Sequence, residues 1–135
     1  MKIGVTGTRS GMSEQQFLDI STFLKEQFVT GAELHHGDCV GVDVEVAMLA
    51  RDIGYHIVCH PPVKDELRAR HDSDEFRVPL SYFARNRNIV DETDQLLVVP
   101  YQSTPQKHGG TWYTHDYATK KNKDVIIVYP GVERE

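Results

Sequence analysis

Apolar and polar positions alternate between two periods along this chain. "KIGVT" (2–6) is a short β-rich run that ends at Gly7, which predicts a buried strand. Residues 13–30 then take a helical period, with Phe17, Ile20, Leu24 and Phe28 on one face. Ser13 followed by Gln16 three positions on has the spacing of a capping box, and Gly31 supplies a stop. "AELHH" (32–36) reads as a second strand. Val42, Val46, Leu49 and Ile53 form a second helical stripe, closed by Gly54. "YHIVCH" (55–60) is a third strand, ended by Pro61 and Pro62. Residues 63–79 are charged and aperiodic, as expected of a partly ordered excursion or lid. A helix over 80–92 leads into "QLLVVP" (95–100), the fourth strand. A loop and a helix over 111–121 precede "DVIIVYP" (124–130), the fifth.

Strands that alternate with helices and read as continuous apolar runs predict a parallel sheet covered on both faces. Right-handed crossovers make it an α/β, doubly wound, five-stranded sheet in the order 3-2-1-4-5, one domain over residues 1–135. Ligands of such sheets lie beyond the carboxyl ends of the strands, near the switch point. That edge should gather "GTRSG" (7–11), "GDCVGVD" (37–43), His60 and the turn ending in "GGT" (109–111). Two of these segments open helices, whose first N–H groups favour an anion.

Composition changes little in this picture. The chain has 135 residues, 39% hydrophobic and 26% charged, which is ordinary for a soluble domain. Its net charge of −5 leads us to expect no broad nucleic-acid binding, which calls for a basic surface. A pocket for one small phosphate compound is compatible with that charge. Cys39 and Cys59 lack metal-type spacing, the N-terminus has no signal-peptide core and no apolar run approaches a membrane span. A reduced, cytoplasmic protein is the expectation.

The candidate site residues follow from residue type and position. Gly7, Gly37 and Gly41 let a backbone come close to a ligand, or let strand pack on helix. Asp38 and Asp43 are placed to take ribose hydroxyls, with an N-cap role as the alternative for Asp38. Thr8 and Arg9 follow the first strand, where a guanidinium suits a phosphate. Gly109, Gly110 and Thr111 make a turn with the look of an anion nest. Trp112 and Tyr113 read as core or subunit-contact residues before base-stacking ones. Cys39 has no evident base partner. The seven histidines show no ligand spacing, so no metal and no resident cofactor are expected; His60 is expected near the ligand.

Four stretches, "GVTGTR", "GDCVGVD", "ARNRNIVDETDQLLVVP" and "GGTWYTHDYA", stand in an order that resembles the SLOG superfamily. This is the Rossmann-like group named for the DNA-processing protein Smf and the Lonely guy hydrolases. The resemblance runs along nearly the whole chain and is closest to small single-domain members. It implies nucleotide or nucleotide-derivative binding at the shared edge and adds Arg85 and Asn86 to the ligand residues. It also implies association into a dimer or other homo-oligomer. The hydrolase branch carries a glutamate three positions after the threonine of its glycine turn; here that position is Thr114.

The leading expectation is a protein that binds a nucleotide or its derivative as a sensor or sequestering protein. One alternative is an N-glycosidic hydrolase of a nucleoside monophosphate, with Asp38 or Asp43 as its carboxylate and Arg85 on the phosphate. The other is an interaction module that has lost its ligand.

Overall fold

A computed structural model describes residues 1–64, 66, 68–106 and 109–131. The expected excursion at 63–79 and the loop before 109 therefore lie in part outside the described residues. Six strands, β1 (Lys2–Gly7), β2 (Glu33–His36), β3 (His56–Cys59), β4 (Glu75–Phe76), β5 (Gln95–Val99) and β6 (Asp124–Ile127), form one sheet. Four helices join them: α1 (Glu14–Gln27), α2 (Val42–Ile53), α3 (Tyr82–Glu92) and α4 (Gly110–Lys120). Every pairing is parallel.

The order is β4-β3-β2-β1-β5-β6. The α/β class is as expected, but the five-stranded count and the order 3-2-1-4-5 are corrected to six strands with one more at the edge. The added β4 has two residues, both exposed, paired with Val58 and Cys59. It is held by backbone hydrogen bonds, so it leaves no alternation of apolar and polar residues to read.

Period-2 alternation sorts the strand residues onto two cores. Ile3, Val5, Leu34, Ile57, Leu97 and Val99 pack with Ile20 and Leu24 of α1 and Val42 and Val46 of α2. Leu96 and Val98 face the other way, against Ile89 and Val90 of α3 and Ala118 of α4. The helix α1 starts at the predicted capping box: the Gln16 N–H donates to Ser13 Oγ (3.1 Å) and the Ser13 N–H to Gln16 Oε1 (2.9 Å). Gln16 is itself buried, and its amide donates to the Pro100 and Val128 carbonyls, both at 2.8 Å. Phe17, expected on the core face, is exposed instead. The chain runs outward from β1 in both directions, so β1 and β5 flank the switch point, and the turns after β1, β2, β3 and β5 share one edge.

Candidate functional site

Much of that edge is occupied by protein atoms. A Cβ on Gly7 would lie 2.5 Å from Val42 Cγ1, so Gly7 lets α2 approach β1. Gly41 has φ 89°, a left-handed conformation that favours glycine, and a Cβ there would lie 2.5 Å from the Arg9 carbonyl carbon. The first N–H of α2, from Val42, donates to the Thr8 carbonyl (3.1 Å). Asp43, in the first turn of α2, accepts from the N–H groups of Gly37 (2.9 Å) and Cys39 (3.4 Å). The β2–α2 turn is thus tied to itself and to the β1–α1 turn.

Asp38 is equally committed. It is buried at φ 59°, and its carboxylate accepts from Arg68 Nε (2.8 Å) and the His71 N–H (2.9 Å). The N-cap of α2 is Gly41, so Asp38 is not the cap. Burial raises the Asp43 carboxyl from 3.8 to about 6, opposed by the nearby Arg85 charge and the two backbone donors.

Arg85 lies on the inward face of α3 and is 1% exposed. Its Nη1 donates to the Gly37 carbonyl and, at 3.1 Å, to the His60 carbonyl; its Nε donates to Asn86 Oδ1 (2.7 Å). These bonds clamp the ends of β2 and β3 to α3. A Cβ on Gly37 would lie 2.6 Å from Nη1, so the guanidinium takes the space that glycine leaves. Among the described residues Arg85 forms no ion pair within 4.0 Å, and its remaining surface borders a cleft.

That cleft has a volume of about 370 Å³. Pro62, Val63, Tyr82 and Phe83 supply apolar walls, and Cys39 lies at its edge with its thiol pushed up by burial. Arg9, Lys64 and Arg85 bring positive charge, against Glu66. Arg9 and Arg85 both lie over the Tyr82 ring, at 5.8 and 5.0 Å from its centroid.

A smaller hollow of about 160 Å³ lies alongside, lined by Thr8, Tyr101, Gln102, Gly109, Gly110, Thr111 and Trp112 among others. It is the mouth of α4. The first helical bond runs from the Tyr113 N–H to the Gly109 carbonyl (3.0 Å), so the N–H groups of Gly110, Thr111 and Trp112 have no intrahelical acceptor. Gly109, the N-cap, has φ 102° and no side-chain cap. Thr114 is buried and donates to the Gly110 carbonyl (2.8 Å), so it faces the helix where the hydrolase branch has its acid.

The predicted residues therefore divide. Arg9 and Arg85 border the larger cleft; Thr8, Gly109, Gly110 and Thr111 border the smaller. Gly7, Gly37, Asp38, Gly41, Asp43, His60 and Asn86 line neither. His60 is buried, with Nε2 2.8 Å from His35 Nδ1 and, among the described residues, no partner for its own Nδ1; burial lowers it to about 3. Sequence reading missed Pro62, Val63, Tyr82 and Phe83. The aromatic pair at the head of α3, one turn from Arg85, was the available signal.

Two groups bring metal-ligating atoms within 4.8 Å of one another: His35, His60 and Glu92, and His36, Asp38 and Cys59. Spacing along the chain could not reveal them, because the first joins β2, the residue after β3 and the end of α3, and the second joins β2, the turn after it and β3. The first is spanned by the His35–His60 contact and a 2.8 Å contact of His35 to Glu33. In the second, Asp38 is held by Arg68 and His36 by Ser73 (2.9 Å).

Searches against protein-family models and curated proteins find no match. Solved structures do match. The molybdenum cofactor binding protein of the phototrophic bacterium Rippkaea orientalis is 20% identical, with a TM-score of 0.69 over 93% of this chain and 74% of that one. The molybdenum cofactor carrier protein of Chlamydomonas reinhardtii is 23% identical, with a TM-score of 0.67 over 93% and 74%. DNA processing protein A of Helicobacter pylori is 18% identical, with a TM-score of 0.65 over 94% and 64%. At these identities the likeness establishes the fold alone, a Rossmann-like parallel sheet. The first two are named for binding or carrying the molybdenum cofactor, and the third binds single-stranded DNA.

The last of these corrects the expectation that nucleic acid is excluded as a partner. Net charge averages the whole surface, whereas this edge gathers Arg9, Lys64 and Arg85 in one cleft. Among the described residues, no helix is long and apolar enough to cross a membrane.

Proposed function

We propose that this protein binds a nucleotide or nucleotide derivative at the carboxyl edge of its sheet and acts as a sensor or sequestering protein. The observation that carries this reading is the Arg9–Tyr82–Arg85 arrangement: two guanidinium groups on one aromatic ring, in a cleft of about 370 Å³, in a chain of net charge −5. Flat apolar walls suit a ring, and three cations against one lining carboxylate, Glu66, suit a phosphate. The open head of α4, with Gly109, Gly110 and Thr111, offers a further anion position beside Thr8.

A hydrolase needs a carboxylate beside the sugar. Asp38 and Asp43 are spent on internal bonds and reach neither cavity, which counts against the two aspartates as that group; among the described residues Glu66 is the carboxylate that lines the larger cleft. The reading places the protein in the cytoplasm, in keeping with two free cysteines.

Native mass spectrometry of the purified protein tests the proposal. A nucleotide-sized adduct that is lost on unfolding supports it. A bare chain that also stays bare with added millimolar nucleotides counts against it.

A further inference from the structure

One side chain, Tyr82, stands between lining residues of the two cavities. Tyr82 lines the larger cleft, and its hydroxyl and ring edge pack on Gly110, which lines the smaller one. A methyl group on Gly110 would overlap the Tyr82 hydroxyl and lie 2.8 Å from Cε1 and Cζ. Thr8 and Arg9, consecutive in the turn after β1, border one cavity each, so the two lie side by side along the edge.

We propose that Tyr82 is a movable partition, which divides one elongated site into two compartments and sets the length of ligand admitted. This rests on the binding reading above. Among the described residues the Tyr82 hydroxyl makes no hydrogen bond, and the ring is held by the two guanidinium contacts and an edge contact to Phe83 at 5.6 Å. Tyr82 is the first residue of α3, after an N-cap, Ser81, that makes no side-chain cap bond. Inside a helix the preceding turn blocks one χ1 rotamer; at the first position that turn is absent, so the helix backbone leaves this rotamer open to the ring. With the ring in place, the larger cleft takes a compact ligand. With the ring turned, the ligand extends past it to Thr8 and Gly110.

The first test needs no ligand. Replacing the first residue of a helix by alanine is otherwise favourable, so Gly110→Ala reads whether Tyr82 can move. A turning ring leaves the melting temperature within about 3 °C of wild type, whereas a fixed ring forces a clash and lowers it by about 10 °C or more. The larger fall, absent when Tyr82→Ala is combined with it, would overturn the proposal.

The second test uses AMP and ADP as short and long probes, titrated calorimetrically into wild type, Tyr82→Phe and Tyr82→Ala. Opening the partition in Tyr82→Ala should raise the ADP-to-AMP affinity ratio about fivefold or more, with Tyr82→Phe close to wild type. Trp112, the single tryptophan, lines the smaller compartment and should change its emission with ADP. Equal effects on both probes with no change at Trp112 would remove the partition while leaving the binding reading intact. Failure of both nucleotides to bind any of the three proteins would count against the binding reading, and the Gly110→Ala melt would still decide the mobility of Tyr82.

Discussion

Arg85 donates from Nη1 to the carbonyl of Gly37, 48 positions earlier in the chain, and the same nitrogen reaches the His60 carbonyl at 3.1 Å. One buried guanidinium thus ties α3 to the ends of β2 and β3 while its edge borders the cleft. The residue expected to read a phosphate also builds the floor on which the site stands.

Its removal should therefore be felt in stability before affinity. Arg85→Ala leaves two buried carbonyls without their donor, at a cost of about 2–4 kcal/mol in urea unfolding. Arg85→Lys should recover little of it, because an ammonium cannot reproduce the planar fork that serves Gly37, His60 and Asn86 together. A fully stable Arg85→Ala protein would show that the clamp contributes nothing to the fold.

Acid should loosen the protein from about pH 6.5 downward. Burial holds His36 and His60 neutral in the fold, each lowered from 6.5 to about 3. An unfolded chain takes up protons at these groups near pH 6.5 and the folded chain does not, so their stabilisation is complete above that pH and is lost as pH falls toward 3. Asp43 has the opposite sign. Raised from 3.8 to about 6, it binds its proton more readily in the fold, so its contribution is present below 3.8 and lost as pH rises through 6. Burial lowers His35 and His71 as well, so the histidines outweigh the single aspartate and stability falls on balance as pH falls below about 6.5. His60→Gln should flatten the slope and Asp43→Asn should steepen it, read by denaturant midpoints from pH 7 to 4. Stability that stays level over that range in the wild type would contradict this assignment.

The glycines separate by what surrounds them. Gly41→Ala meets both a left-handed φ of 89° and the Arg9 backbone, and should cost more than about 2 kcal/mol. Gly109→Ala has φ 102° but, among the described residues, no atom within 4 Å of the added carbon, so the backbone cost of about 1–2 kcal/mol is what applies. Equal melting temperatures for the two variants would show that the packing at Gly41 is not limiting.

These positions also mark how far the sequence could be read. Elements carried by local signals were legible: the Ser13–Gln16 box starts α1, and Gly54 closes α2 at Ile53. The glycine turns were legible as turns, but not what fills them. Gly7 faces Val42 and Gly37 faces Arg85, and both partners come from distant sequence. Arg85 reads as a surface residue because its burial depends on carbonyls offered by two strand ends. The Glu75–Phe76 strand was illegible because backbone pairing leaves no side-chain pattern. Tyr82 and Phe83 looked like any aromatic pair until the fold set them beside Arg9.

Calorimetric titration of AMP and adenosine into wild type and Arg9→Ala tests the central claim most directly. Arg9 is exposed and makes no ion pair among the described residues, so its loss should leave the melting temperature nearly unchanged. The account predicts that AMP binds more tightly than adenosine. It also predicts that Arg9→Ala weakens AMP by about tenfold, the loss of one charge-assisted contact, with little effect on adenosine. Equal affinity for the two compounds, or an Arg9→Ala protein that binds AMP as wild type does, would contradict it.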